Sequence, residues 1–215
     1  MLIVGVRLEH AQRHSALVVV RRNERVEGEF DRKRLRWPTV TSYDVPHIER
    51  FGRGQRLGEV VDAIAALMGR LEPKPTLLVD ITDTGHPPID LMRACDLAPI
   101  PVVVTESGRP HAAHRTMHIP RQHLVTELAI LLGARRLTIA RKLPDAELMA
   151  RQLEEYRVKP EPDDATELAI SAALCCWWGQ NRVRSQVKQP PWPADPVRPR
   201  GLGEMTWDEV LQISY

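Results

Sequence analysis

The chain has 215 residues, of which 43% are hydrophobic and 27% charged, and its formal net charge is +2. These values are typical of a globular domain and exclude a strongly basic nucleic-acid-binding protein, so any such surface must come from local clustering. Three cysteines, two of them adjacent, form neither a disulfide framework nor a zinc-ligand pattern. The sequence has no signal peptide and no run of about 18 apolar residues, which predicts a cytoplasmic protein without a membrane span.

The first third of the sequence predicts three strands and a helix. Val, Ile and Leu dominate residues 2–8 and 15–22, which is typical of strands, and residues 42–51 alternate as a third strand would. The charged residues 23–41 between them predict a turn or an edge hairpin. Apolar residues at helical spacing then predict an amphipathic helix over residues 55–71.

Short strands and helices alternate in the middle of the sequence. Residues 76–80 form an apolar run that ends in an acid, typical of a buried central strand, and residues 100–105 form a second buried strand. A helix is predicted between them, ending near Cys95. Residues 106–118 hold Gly108, Pro110 and three histidines and predict a loop, after which Pro120 is expected as the first residue of a helix that ends at Gly133.

The last third predicts a short strand over residues 137–140 and a helix over 144–156. A final long helix is expected to begin at Pro162 and run to about Trp178. Residues 185–203 are rich in proline and predict an extended linker, and residues 207–213 predict a short terminal helix.

This order of elements predicts an α/β fold, in which a mixed sheet carries helices on both faces. We expect one domain over residues 1–184, followed by a proline-rich tail over residues 185–215.

Three acids stand where metal ligands are expected. Asp80 closes a central strand, and Asp163 and Asp164 open the last helix, so carboxylates distant in sequence can meet in one cleft. Two divalent ions, Mg²⁺ or Mn²⁺, require such converging oxygen ligands in phosphodiester cleavage. Alternatively, Asp163 and Asp164 only offset the positive end of the helix dipole.

Four segments, taken in order, resemble the nuclease domain of phage terminase large subunits. Val79–Leu91 is similar to an Asp-x-Thr-Gly-x-Gly segment after a central strand, and Ile119–Val125 is similar to a Val-Pro-Lys-x-x-Leu-Val element. Leu131–Ile139 resembles the leucine-rich helix, basic turn and short strand of that family, and Pro162–Ala169 resembles its His-Asp-Asp-Leu-x-x-Ala-Leu helix start. The resemblance covers residues 2–182.

The resemblance implies a ribonuclease H-like fold and metal-dependent cleavage of double-stranded DNA. Asp80 would be the second metal-binding acid, and Asp163 and Asp164 would supply the third. Phage or prophage DNA packaging follows as the implied role, with other packaging proteins as partners in the bacterial host cell. No Gly-x-x-x-x-Gly-Lys-Ser/Thr motif is present, so neither a nucleotide cofactor nor the packaging motor is expected.

The sequence departs from this family's pattern at three positions. Arg7 stands where the first metal-binding acid should close the first strand, Arg13 stands where a second acid commonly follows, and Asp83 replaces a glycine. A guanidinium stays protonated and does not ligate a cation. Either Glu9, on the same strand face, replaces the missing acid, or Arg7 forms a salt bridge with Asp80 or Asp164.

Three hypotheses remain open at this point. The first is a metal-dependent endonuclease in which Asp80, Asp163 and Asp164 bind Mg²⁺ or Mn²⁺ and Glu9 assists. The second is a catalytically inactive ribonuclease H-like module that binds DNA or a packaging partner, and the third is another ribonuclease H-like enzyme, such as a junction resolvase.

A group of histidines in the middle of the sequence matches no metal-ligand spacing, and we interpret it as solvated. Its members are His86, His111, His114, His118 and His123.

Overall fold

The computed structural model describes residues 1–9, 13–33, 35–156 and 165–185. Within these residues the strands are β1 Leu2–Arg7, β2 Ala16–Val26, β3 Thr39–Arg50, β4 Thr76–Asp80, β5 Pro99–Thr105, β6 His111–Ala113, β7 Thr116–Pro120 and β8 Leu137–Ile139. The helices are α1 Leu57–Arg70, α2 Pro87–Ala94, α3 Arg121–Gly133, α4 Ala146–Glu155 and α5 Glu167–Asn181. No helix among the described residues has the length and apolar character needed to cross a bilayer.

All these strands belong to one mixed sheet, in the order β6-β7-β5-β4-β1-β2-β3-β8. Strand β1 is antiparallel to β2 and parallel to β4, while β5 runs parallel to both β4 and β7. The last residues of β1, β4 and β5, which are Arg7, Asp80 and Thr105, therefore lie at one end of the sheet. We call this the carboxyl end, and it is where ligand sites of α/β sheets usually form.

Apolar side chains fill a core on each face of the sheet. Ile3 of β1 faces the core covered by α3, α4 and α5, whereas Val4 faces the core covered by α1 and α2. Every residue of β1 and nearly all of β4 are buried, because helices cover both faces. The predicted α/β class, with helices on both faces of a mixed sheet, is confirmed.

The described residues fall into two compact units. The first contains residues 1–25 and 39–185. The second contains residues 26–38, in which Asp31 and Arg36 form a β-bridge and the Phe30 and Trp37 rings meet edge to face at 5.5 Å. Because residues 186–215 lie outside the described part of the chain, the proline-rich tail and its terminal helix stay predictions.

The prediction of a loop over residues 106–118 is wrong, because it includes β6 and the start of β7. The turn between them consists of His114 and Arg115, whose φ angles are 48° and 65°. Two-residue hairpin turns need such left-handed residues and usually use Asn and Gly, so the sequence carried no recognisable turn signal. Pro120 is the last residue of β7, and α3 begins at Arg121.

The last long helix begins at Glu167 rather than at Pro162, since Ala165 and Thr166 are not helical. The side chain of Gln152 in α4 defines this start, because its Oε1 accepts hydrogen bonds from the amides of Leu168 and Ala169 at 2.9 and 3.3 Å. An amide oxygen from another helix thus caps α5, which no local motif in the sequence indicates.

Helix α5 lies directly against β1 at Gly5. A Cβ added there would stand 2.1 Å from the Ser171 carbonyl oxygen and 2.8 Å from the Cys175 sulfur. Since the nearer atom belongs to the backbone of α5, the helix would have to move away to admit a side chain.

We therefore predict that Gly5→Ala lowers the free energy of unfolding by about 3 kcal/mol or more, the upper part of the range for overpacked cores. Urea denaturation measures the change. Gly69→Ala is the matched control: a Cβ at that α1 position meets nothing within 4 Å, so it should leave stability equal or raise it by about 0.5–1 kcal/mol. Equal effects of the two substitutions would contradict the close helix–strand contact.

Candidate functional site

Strand pairing brings Arg7 and Asp80 together at the carboxyl end of the sheet. In the parallel register of β1 and β4, Arg7 is the partner of Asp80 and both residues end their strands. Side chains of paired residues point to the same face and lie side by side. The geometry of the sheet therefore fixes this contact.

The Arg7 guanidinium binds three carboxylates, and we call these four residues the guanidinium cluster. One terminal nitrogen of Arg7 donates to Oδ2 of Asp80, and the other donates to Oδ2 of Asp83 at 2.5 Å. Its Nε donates to Oε1 of Glu9 at 2.6 Å. Each nitrogen thus makes a charge-assisted hydrogen bond, the stronger kind of ion-pair contact.

The second oxygen of the Asp80 carboxylate is also used. Oδ1 accepts from the Thr82 amide at 2.9 Å and from the Thr82 hydroxyl at 2.5 Å. The same hydroxyl oxygen accepts from the Val104 amide of β5 at 2.8 Å. Asp80, only 1% exposed, therefore has both oxygens bound by protein groups.

Charge keeps the guanidinium cluster together despite its burial. Desolvation lowers the pKa of Arg7, but the negative charges of Asp80, Glu9 and Asp83 outweigh it, so that the pKa is raised above its ordinary value. Arg7 stays protonated at every pH at which proteins fold. Removing one partner of such a buried pair typically costs about 3–5 kcal/mol, because the other charge is left without compensation.

Tyr156 and Arg121 lie beside the guanidinium cluster. The Arg121 guanidinium carbon is 5.5 Å from the centre of the Tyr156 ring, a cation–π contact. Burial raises the pKa of Tyr156 to about 12, while Arg121 and Arg7 lower it and Asp80 raises it. The charges of Arg7 and Asp80 therefore reach this tyrosine.

Helix α5 also begins at the carboxyl end of the sheet. The Ser171 hydroxyl lies 3.4 Å from the Ala16 carbonyl oxygen, and Ala16 is the β2 partner of Arg7. Glu167, the first residue of α5, accepts a hydrogen bond from Nε of Arg50 at 2.8 Å. The predicted metal ligands Asp163 and Asp164 lie outside the described residues, so their roles stay predictions.

The described residues do not fit a two-metal site at Asp80. Arg7 occupies one oxygen of this carboxylate and Thr82 the other, and a divalent ion about 4 Å from a guanidinium would be repelled by about 2–8 kcal/mol. Among the described residues, no group of three or more His, Cys, Asp or Glu side chains is arranged to hold a metal ion.

The sequence identified part of this arrangement. Of the two alternatives for Arg7, the structure shows the salt bridge with Asp80, and Glu9 binds Arg7 as well. The role of Glu9 as a metal ligand stays a prediction. Sequence reasoning did not assign roles to Asp83, Thr82 or Tyr156. Asp83 and Thr82 carried a signal, since they follow Asp80 directly in the resembling segment, but nothing in the sequence indicates Tyr156.

Comparison with known proteins identifies the fold. No protein-family model matches the sequence, and no curated protein matches it. The large terminase nuclease from thermophilic phage G20c is similar in structure, with a TM-score of 0.54 and 15% identity over 84% of this chain and 82% of that one. The human cytomegalovirus terminase nuclease domain, Mn soaked, has a TM-score of 0.47 and 9% identity over 82% of each chain. The likeness to the phage G20c nuclease shows that the chain has a terminase-nuclease-like, ribonuclease H-like fold.

The raised pKa of Tyr156 predicts a loss of stability in alkali. The folded state keeps the phenolic proton up to about pH 12, whereas an unfolded chain loses it near pH 10, so stability falls as the pH rises between these values. Urea unfolding at pH 9 and pH 11 should show a loss about 1 kcal/mol smaller for Tyr156→Phe than for the wild type. Identical losses would show that Tyr156 is not shielded as described.

Proposed function

We propose that this chain is a non-cleaving, terminase-nuclease-like module that binds double-stranded DNA, in which the Arg7 guanidinium takes the place of a metal ion. The observation that carries the proposal is the ion pair between Arg7 and Asp83. These residues are two of the three departures from the terminase nuclease pattern, and they bind each other.

The two departures make chemical sense only together. Arg7 alone would put a cation among carboxylates without completing its hydrogen bonds, and Asp83 alone would add negative charge beside Asp80. Paired at 2.5 Å, each compensates the other, so Arg7 supplies a positive charge where the family pattern places a metal ion. This supports a site adapted to a permanent cation rather than a damaged nuclease.

Binding of DNA is supported by exposed arginines at the carboxyl end of the sheet. The loop after β3 starts there, since the Phe51 amide donates to the Ser15 carbonyl and the Ser15 hydroxyl accepts from the Glu9 amide. This loop presents Arg53 and Arg56, which are exposed and suited to DNA phosphates.

The alternative is a metal-dependent endonuclease in which Asp80, Asp163 and Asp164, with Glu9, bind Mg²⁺ or Mn²⁺. One observation favours it: a single guanidinium carries one positive charge against three carboxylates, and Asp83 is 36% exposed, so negative charge remains to attract a cation. This alternative requires Arg7 to leave Asp80.

We predict that the wild type does not cleave plasmid DNA with Mg²⁺ or Mn²⁺ and that neither ion changes its melting temperature. The variant Arg7→Asp replaces the guanidinium by a carboxylate that can bind a metal ion. It should melt roughly 2–4 °C higher with millimolar Mn²⁺ than without it. Differential scanning calorimetry and agarose gels provide the measurements.

Arg7→Asn is the matched control, because it removes the cation without adding a carboxylate and should respond much less to Mn²⁺ than Arg7→Asp. Cleavage by the wild type that disappears in Asp80→Ala would overturn the proposal and favour the endonuclease.

The DNA surface is tested separately. Replacing both Arg53 and Arg56 by alanine should weaken binding to a short duplex and lower the slope of log Kd against log salt by about two, one for each lost phosphate contact. Fluorescence anisotropy at several salt concentrations measures both effects. Replacing Arg70 and Lys74 removes the same charge at the far end of α1, about 20 Å away, and should change little. Equal losses for the two pairs would contradict a surface at the carboxyl end.

A further inference from the structure

Two histidines meet across the β6–β7 hairpin, away from the guanidinium cluster. His111 and His118 are partners in the antiparallel register, so their side chains lie on the same face of the sheet. Their rings are stacked with centroids 4.8 Å apart and planes 8° from parallel. His111, on the edge strand β6, is exposed, and His118, on β7, is half-buried. The pair is therefore open to solvent.

A backbone contact selects the form of His111 that binds metals. Its Nδ1 lies 3.0 Å from the Arg109 carbonyl oxygen, which can only accept a hydrogen bond. Nδ1 therefore carries the proton, and in the neutral ring Nε2 keeps its lone pair. Histidines that ligate metals through one nitrogen usually donate the other N–H to a carbonyl or carboxylate in this way.

We infer that His111 and His118 form a surface site for a borderline divalent ion of the Zn²⁺, Ni²⁺ or Cu²⁺ class, with water completing the coordination. Two imidazoles suit these ions, whereas Mg²⁺ and Mn²⁺ prefer oxygen ligands. Because the lone pair of an imidazole nitrogen lies in the plane of its ring, the exposed His111 ring must turn out of the stack for both histidines to bind one ion.

The surroundings set an upper limit on the affinity. Arg109 precedes His111, and Arg115 is exposed at the tip of the same hairpin, so the local positive charge opposes a second cation. With only two protein ligands, the site is weaker than a structural zinc site, which has four. This site does not depend on the function proposed for Arg7, because it shares no residue with the guanidinium cluster, which is proposed to work without a metal ion.

Zinc titration of the metal-free full chain tests the inference, using isothermal titration calorimetry. His111→Ala and His118→Ala should each weaken binding of one Zn²⁺ per chain at least tenfold. His114→Ala is the matched control, since His114 is exposed in the same hairpin but lies in the turn, and it should change the affinity less than twofold. Binding of Zn²⁺ by other side chains is common to all variants and cancels in the comparison.

Side-chain NMR of the wild type should show Zn²⁺ shifting the imidazole signals of His111 and His118, while Mg²⁺ leaves them unmoved. The inference is overturned if neither substitution changes zinc affinity or if His114→Ala weakens it equally. Imidazole signals of the pair that do not respond to zinc would mean that the rings only stack.

Discussion

A buried positive charge at the junction of β1 and β4 is the constraint around which the carboxyl end of the sheet is organised. Arg7 and Asp80 are buried at the ends of neighbouring parallel strands, so each needs a partner of opposite charge, and each provides it for the other. The remaining hydrogen bonds follow from this requirement. Glu9 and Asp83 satisfy the other nitrogens of the guanidinium, and Thr82 satisfies the free oxygen of Asp80.

This network also connects the chain segments that surround it. The Thr82 hydroxyl joins Asp80 to the backbone of β5, and the Glu9 amide bonds to Ser15 at the start of β2. Helix α5 packs closely against β1 because Gly5 has no side chain to keep the helix away. The site is therefore part of the structural framework, which distinguishes it from a cleft in which ligands sit on mobile loops.

The sequence predicted those features that depend on local pattern. Buried strands such as β4 are continuous apolar runs, and the acid that ends this run in the sequence indicates Asp80 as a candidate site residue. Features that depend on distant contacts were not predictable. Gln152 caps α5 from another helix, and Asp83 becomes a partner of Arg7 only through the fold. The hairpin of His111 and His118 was missed because its turn uses His114 and Arg115 in a conformation that glycine or asparagine normally signals.

The positive charge at this site lies on the side chain of Arg7 and is therefore a covalent part of the protein. A bound ion would be lost to a chelator and would depend on the ionic composition of the cell, whereas a guanidinium with a raised pKa is present as soon as the chain is synthesised. The contacts of Arg7 with Glu9, Asp80 and Asp83 can therefore form during folding without an ion. Protein that is refolded in EDTA should therefore form the same hydrogen bonds between Arg7 and its three carboxylates as protein that is refolded without EDTA.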